Sequence, residues 1–250
     1  MLCYAHQKQT VSAKKEGAAV RIITVVGIRK SGKTSTVTAL VEEIRRRGRT
    51  VGTCKSVFCP TFSIDKPQSN TARHLRAGAA LVCARAKHET TYIHPQQEPL
   101  TGVLRAFEGL DYVLLEGDYL APVARLVAAH GEQDALQRTN ALTLAYVGRV
   151  SAREDAALPH PRINALTDAG ALLDLIDAQV ADSGISPALD EPLPPVSGVT
   201  DDGFCQCGCH HAQKQQAETT SASCDGRALR MTPEREALLR RWAQEDGHGA

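Results

Sequence analysis

The chain has 250 residues, 42% of them hydrophobic and 23% charged, the proportions of a soluble globular protein with core enough for one α/β domain. Lys and Arg number 29 against 28 Asp and Glu, which excludes a protein whose main task is to coat nucleic acid or an anionic membrane. Aromatic residues are only 4%, which leaves few stacking platforms for single strands.

No run approaches the roughly 20 apolar residues that a membrane helix needs. Residues 1–19 are polar, lack an apolar h-region, and read as a disordered lead-in and not as an export signal. A cytoplasmic protein with reduced thiols is therefore expected. Arg21 to Val26 (RIITVV) predicts a buried strand. Lys33 to Arg47 carries Val37, Leu40, Val41 and Ile44 at helical spacing, and Gly48 stops it. A second strand is expected over Thr50 to Lys55, and a short helix over Thr71 to Ala77. Short strands follow at Leu81 to Ala84 and Thr91 to His94, then a helix at Leu100 to Phe107. Asp111 to Glu116 (DYVLLE) is a buried strand, and Val123 to Ala128 and Leu142 to Val147 are two more. An amphipathic helix over Ala165 to Val180 closes the block.

Alternation of this kind predicts an α/β fold, with a mostly parallel sheet between two helix layers. Residues 183–203 are rich in Pro, Gly, Ser and Asp and read as a linker. Residues 204–250 are expected to form a small Cys/His segment with a terminal helix that starts at Thr232-Pro233. The domain expectation is thus 1–19, 20–182, 183–203 and 204–250.

The strongest motif is Gly27-Ile28-Arg29-Lys30-Ser31-Gly32-Lys33-Thr34, which fits G-x-x-x-x-G-K-[ST] between a strand and a helix. Gly27 and Gly32 let the backbone bend around phosphate oxygens. The N–H groups of Arg29, Lys30, Ser31 and Gly32 and the helix N-terminus then face the anion. Lys33 is placed to meet the β- and γ-phosphates, Thr34 to ligate Mg²⁺, and Ser35 to meet the α-phosphate. The fold class is therefore P-loop NTPase, three-layer α/β/α. Glu116 ends an apolar strand, where an acid can complete the Mg²⁺ site or orient the attacking water. Lys55 ends the second strand, and Asp65 lies in the loop beyond, where an acid can approach from the γ-phosphate side. Lys33, Asp65 and Glu116 are the candidate catalytic residues. Arg45, Arg46, Arg47 and Arg49 form the densest basic run. No aromatic residues interleave with it, so it reads as the solvated end of a helix. There is no N-K-x-D motif, so these residues give a nucleoside triphosphate without naming its base.

Several short motifs occur in order: Gly27 to Thr34, Arg47-Gly48, Val51-Gly52-Thr53-Cys54-Lys55, Asp65-Lys66-Pro67, Arg73, Ala77-Gly78-Ala79 and Leu115-Glu116-Gly117. Over roughly residues 20–180 the chain resembles the molybdopterin-guanine dinucleotide biosynthesis protein B family, MobB. The resemblance implies a dimeric, Mg²⁺-dependent GTP-binding adaptor with weak GTPase activity. Such an adaptor assists MobA, the partner enzyme that attaches GMP to molybdopterin. Three departures stand out. Lys55 is followed by Ser56 where the family has His, Pro67 is followed by Gln68 where the family has Gly, and Asp118-Tyr119 replaces an aromatic-basic pair.

The sequence holds eight Cys. Cys3, Cys54, Cys59 and Cys83 are scattered and read as small buried hydrophobes or incidental thiols, Cys83 above all. Cys205, Cys207, Cys209, His210 and His211 fall within seven residues, with Cys224 downstream. These are metal-ligand types, suited to Zn²⁺, Ni²⁺ or an iron–sulfur cluster. The tail keeps a second function open, a metallochaperone G protein that loads a client metalloenzyme. A P-loop kinase acting on a small molecule, with Arg73 and Arg76 as clamps, is a third.

Overall fold

The computed structural model describes residues 20–57, 62–153, 156–182 and 185–191. Seven strands run β1 (Arg21–Val26), β2 (Val51–Lys55), β3 (Val82–Arg85), β4 (Thr90–Ile93), β5 (Tyr112–Glu116), β6 (Ala124–Ala128) and β7 (Thr143–Val147). Five helices run α1 (Lys33–Arg46), α2 (Asn70–Arg76), α3 (Leu100–Arg105), α4 (Glu132–Leu136) and α5 (Ala169–Gln179). Two 3₁₀ turns span Gly148–Ala152 and Pro187–Asp190. Five strands form one sheet in the order β2-β5-β1-β6-β7, with every pair parallel. β3 and β4 form a separate antiparallel pair.

The central strands are buried along their length, as continuous apolar runs predict for a parallel sheet covered on both faces. All five residues of β5 are buried. Ile23, Val25, Leu114 and Leu126 meet Leu40 and Ile44 of α1 and Leu172 and Ile176 of α5 on one face. On the other face, Ile22, Val113 and Leu115 pack with Leu104 of α3, and Val26, Val127 and Tyr146 with Ala135 of α4. Each such aliphatic side chain contributes about 1.5–3 kcal/mol when fully buried. The three layers are those expected.

The end of α1 follows from its last residues. Gly48 adopts φ 75°, its N–H donates to the Arg45 carbonyl, and the Arg49 N–H to that of Ile44, a Schellman closure that needs a left-handed residue. The basic run here is not merely a solvated helix end. Glu43 accepts from Arg46 and Arg47. Arg47 also reaches Asp174 and the Gly170 carbonyl. Arg49 bonds Asp177 and the Tyr112 hydroxyl. The guanidiniums of Arg21 and Arg49 lie 5.8 and 5.7 Å from the Tyr112 ring. These arginines tie α1 and α5 to the amino-terminal edge of the sheet, opposite the loops that end β1, β2 and β5.

Other departures from the sequence reading are local. α5 starts at Ala169, four residues later than expected, because Asp168 caps it by accepting from the Ala171 N–H. α4 has only five residues, too short for periodicity to reveal. Cys83 is exposed on β3, not buried, while Cys54 is half-buried. Within the expected linker, Ile185 and Leu189 pack on the α3 side of the core, and Asp190 accepts from the Thr101 N–H and hydroxyl. Residues 204–250 lie outside the described residues. Among the described residues, no helix is long and apolar enough to cross a membrane.

Candidate functional site

The neighbouring strands β1, β5 and β2 bring their carboxyl ends together. Register pairs Val25 with Glu116 and Lys55 with Glu116, so the loop after β1 sits beside the end of β5. This is the edge at which open α/β sheets bind ligands.

The loop conformation follows from its residues. Gly27 has φ 152°, and a Cβ there would fall 2.0 Å from the Ala128 carbonyl oxygen. Gly32 has φ 109° and lies against Gly148, where a Cβ would come within 2.9 Å of its Cα. Lys30 is left-handed at φ 60°. The buried Ser31 hydroxyl donates to the Ile28 carbonyl at 2.8 Å and braces the turn from inside. The Arg149 N–H donates to the Ser31 carbonyl, so the turn after β7 also braces the loop. α1 begins at Lys33 with no side-chain cap and no acid in its first turn. The backbone N–H groups of its first turn are therefore not capped by a side chain of the helix itself, the arrangement that suits an anion.

Lys33 Nζ donates to the Gly27 carbonyl at 2.6 Å and the Ile28 carbonyl at 2.7 Å. Burial lowers the pKa of this ammonium, while Glu116 opposes the shift. The Thr34 hydroxyl donates to Glu116 Oε1 at 2.8 Å, and Lys55 Nζ donates to the same oxygen at 2.9 Å. Lys33, Thr34, Lys55 and Glu116 are thus assembled, as the motif reading requires. Arg29, Lys30 and Ser35 are exposed around them.

Asp65 stands differently. Its carboxylate accepts from Ser69 at 2.7 Å, and this bond and Thr71 hold its pKa below the usual carboxylate range. Its hydrogen bonds among the described residues stay within the start of α2. The sequence reading missed Tyr119, His130 and Arg138. Tyr119 bonds both backbone groups of Gly27. His130 Nε2 lies 3.0 Å from the Arg29 carbonyl, and Arg138 is buried beside Asp134. The one cue in the sequence was the unusual Asp118-Tyr119 pair. The expected metal ligands Cys205, Cys207, Cys209, His210, His211 and Cys224 lie outside the described residues.

A glycine-built loop between a buried strand and an uncapped helix, with a lysine inside it and a strand-end acid beside its threonine, defines a P-loop nucleotide-binding protein. Residues 22–145 match the family model for molybdopterin guanine dinucleotide synthesis protein B. The domain they form belongs to that family, MobB. Among solved structures, MobB of Bacillus subtilis is 21% identical, with a TM-score of 0.50, and the match covers 65% of this chain and 99% of that one. A MobB homologue from Bacillus stearothermophilus is 20% identical, with a TM-score of 0.47, over 63% and 99%. At such identity the likeness to the first is one of fold. No curated protein matches the chain.

Proposed function

We propose that this protein is a GTP-binding adaptor in molybdenum-cofactor biosynthesis, acting with a MobA-type enzyme that attaches GMP to molybdopterin. Membership of the MobB family supports the pathway. The observation that carries nucleotide binding is the convergence of Lys33, Thr34 and Glu116 at the mouth of an uncapped helix. Lys33 meets the β- and γ-phosphates, and the N–H groups of Arg29 to Gly32 line the phosphate cradle. Ser35 meets the α-phosphate.

The donor set fits Mg²⁺, a hard cation that takes few protein oxygens and keeps several waters. Thr34 supplies one oxygen, Glu116 bonds the hydroxyl that carries it, and the metal when bound offsets charge on the phosphates. Lys55 adds positive charge at the same oxygen of Glu116. Asp65 is assigned to the γ-phosphate side only in the nucleotide complex, since its bonds now lie within its own segment. Hydrolysis is weak under this reading, as suits an adaptor.

A homodimer is part of the proposal. Phe62, Ile64, Leu81 and Tyr92 are exposed, all in the segment 62–93, and offer apolar surface for it. The Cys/His tail is proposed as an added metal segment on the residue types alone. The test is equilibrium binding of GTP and ATP with Mg²⁺, product analysis, and capture of a MobA-type enzyme. The expected result is preference for GTP, slow release of GDP and phosphate, and capture. A phosphorylated small molecule as product would instead make the protein a kinase.

A further inference from the structure

We propose that Tyr119 is a positioning residue of the phosphate-binding loop: its phenol bridges both backbone groups of Gly27 and fixes the carbonyl on which the Lys33 ammonium rests. This inference rests on the reading of Gly27 to Thr34 as the nucleotide site.

The Gly27 N–H donates to Tyr119 Oη at 2.9 Å. The Tyr119 hydroxyl donates back to the Gly27 carbonyl at 2.5 Å. Lys33 Nζ donates to that same carbonyl at 2.6 Å. The carbonyl oxygen thus receives a donor for each of its two lone pairs. The phenol thus uses its one proton toward the Gly27 carbonyl and a lone pair toward the Gly27 N–H. The buried Arg138 guanidinium favours the ionised phenol, but burial outweighs it. Burial raises the Tyr119 pKa above the ordinary phenol value, so the hydroxyl keeps the proton that it donates.

The segment holding Tyr119 is itself fixed. The Thr24 hydroxyl donates to the Asp118 carbonyl at 2.8 Å. Asp118 Oδ1 accepts from the N–H groups of Leu120 and Ala121 at 3.1 and 3.0 Å. Arg125, 1% exposed in β6, donates to the Tyr119 carbonyl at 3.2 Å. A buried cation is costly without compensation. Asp118 supplies the opposing charge, and the tether to residue 119 is what the cation accomplishes. Residues 116–119 therefore grip the P-loop at both ends. Glu116 takes the hydroxyl of Thr34, the last residue of the motif, and Tyr119 takes the peptide of Gly27, the first.

The test compares Tyr119→Phe with Tyr146→Phe in the full-length protein. Tyr146 is a matched control. It is a buried phenol in the cluster that Tyr119 packs against, and its hydroxyl bonds Thr139. GTP, GDP and GMP are titrated with Mg²⁺. Loss of one such hydrogen bond corresponds to about five- to tenfold in affinity. Tyr119→Phe should weaken GTP and GDP by that factor and leave GMP unchanged, because Lys33 serves the β- and γ-phosphates. Tyr146→Phe should leave all three unchanged. The GTP-to-GMP ratio of Kd values does not depend on the fraction of protein that folds. An unchanged ratio in Tyr119→Phe, or an equal change in Tyr146→Phe, would overturn the inference alone. Wild-type protein that binds none of the three would overturn the P-loop reading, and this inference with it.

Discussion

The Thr34 hydroxyl donates to Glu116 Oε1 at 2.8 Å, although the two residues stand 82 positions apart in the chain. β1 and β5 are parallel neighbours in register, so the loop after one and the last residue of the other must meet. Lys55, on the far side of β5, donates to the same oxygen. The residue proposed to ligate Mg²⁺ is thereby fixed by an acid that a single parallel pairing delivers.

Glu116→Gln keeps the shape of the side chain and removes its charge. GTP affinity measured with excess EDTA should change little. The gain in affinity on adding Mg²⁺ should shrink by about tenfold or more, the scale of a hydrogen bond to a charged group. An identical Mg²⁺ effect in both proteins would remove Glu116 from the site.

Lys33→Ala deletes the charge proposed to face the β- and γ-phosphates and the two bonds that hold the loop entry. GTP affinity should fall by about two orders of magnitude, or below detection. The wild-type pH profile gives an independent check. Burial lowers the Lys33 pKa, and the ammonium is the binding form. Affinity should therefore decline, as pH rises, at a lower pH than an ordinary lysine would give. Unchanged affinity in Lys33→Ala would sink the P-loop assignment.

Much of this site was legible in the sequence because its parts are contiguous or mark the end of an apolar run. Gly27 to Thr34 sits between a strand and a helix that each announce themselves, and Glu116 closes five buried residues. Tyr119 was not legible, since its bond to Gly27 spans 92 positions and depends on which strand lies beyond β1. Asp65 shows the converse. Its place in the order of motifs suggested the γ-phosphate side, yet local geometry ties it to Ser69 at the start of α2. The arginines of residues 46–49 read as a solvated helix end because nothing local reveals Asp174 and Asp177 on α5, more than 120 positions away.

That arginine network makes an acid-stability prediction. Hydrogen bonds from Arg46 and Arg47 hold the Glu43 carboxyl at about 2, against an ordinary value of 4.5. A depressed folded-state pKa means that the unfolded chain binds the proton first. The contribution of Glu43 is thus complete above pH 4.5 and is lost as pH falls toward about 2. Glu43→Gln should lower the Tm at neutral pH and flatten its decline across that window. Parallel Tm–pH curves for the two proteins would show that Glu43 carries none of the acid sensitivity.

Two glycines with positive φ separate conformational strain from steric exclusion. Gly48 ends α1 at φ 75° with nothing within 4 Å of where a Cβ would stand. Gly48→Ala should therefore cost only the left-handed penalty, about 1–2 kcal/mol. Gly27 has φ 152°, and its Cβ would meet the Ala128 carbonyl at 2.0 Å. Neither atom can yield cheaply, because β6 is a central strand and Tyr119 holds the Gly27 peptide from both sides. Gly27→Ala should cost about 3 kcal/mol or more, measured by urea denaturation, and should abolish GTP binding in whatever fraction folds. Gly48→Ala should bind GTP as the wild type does. Equal costs at the two positions would mean that the loop entry can relax, and that the close approach of Gly27 to β6 does not set its geometry.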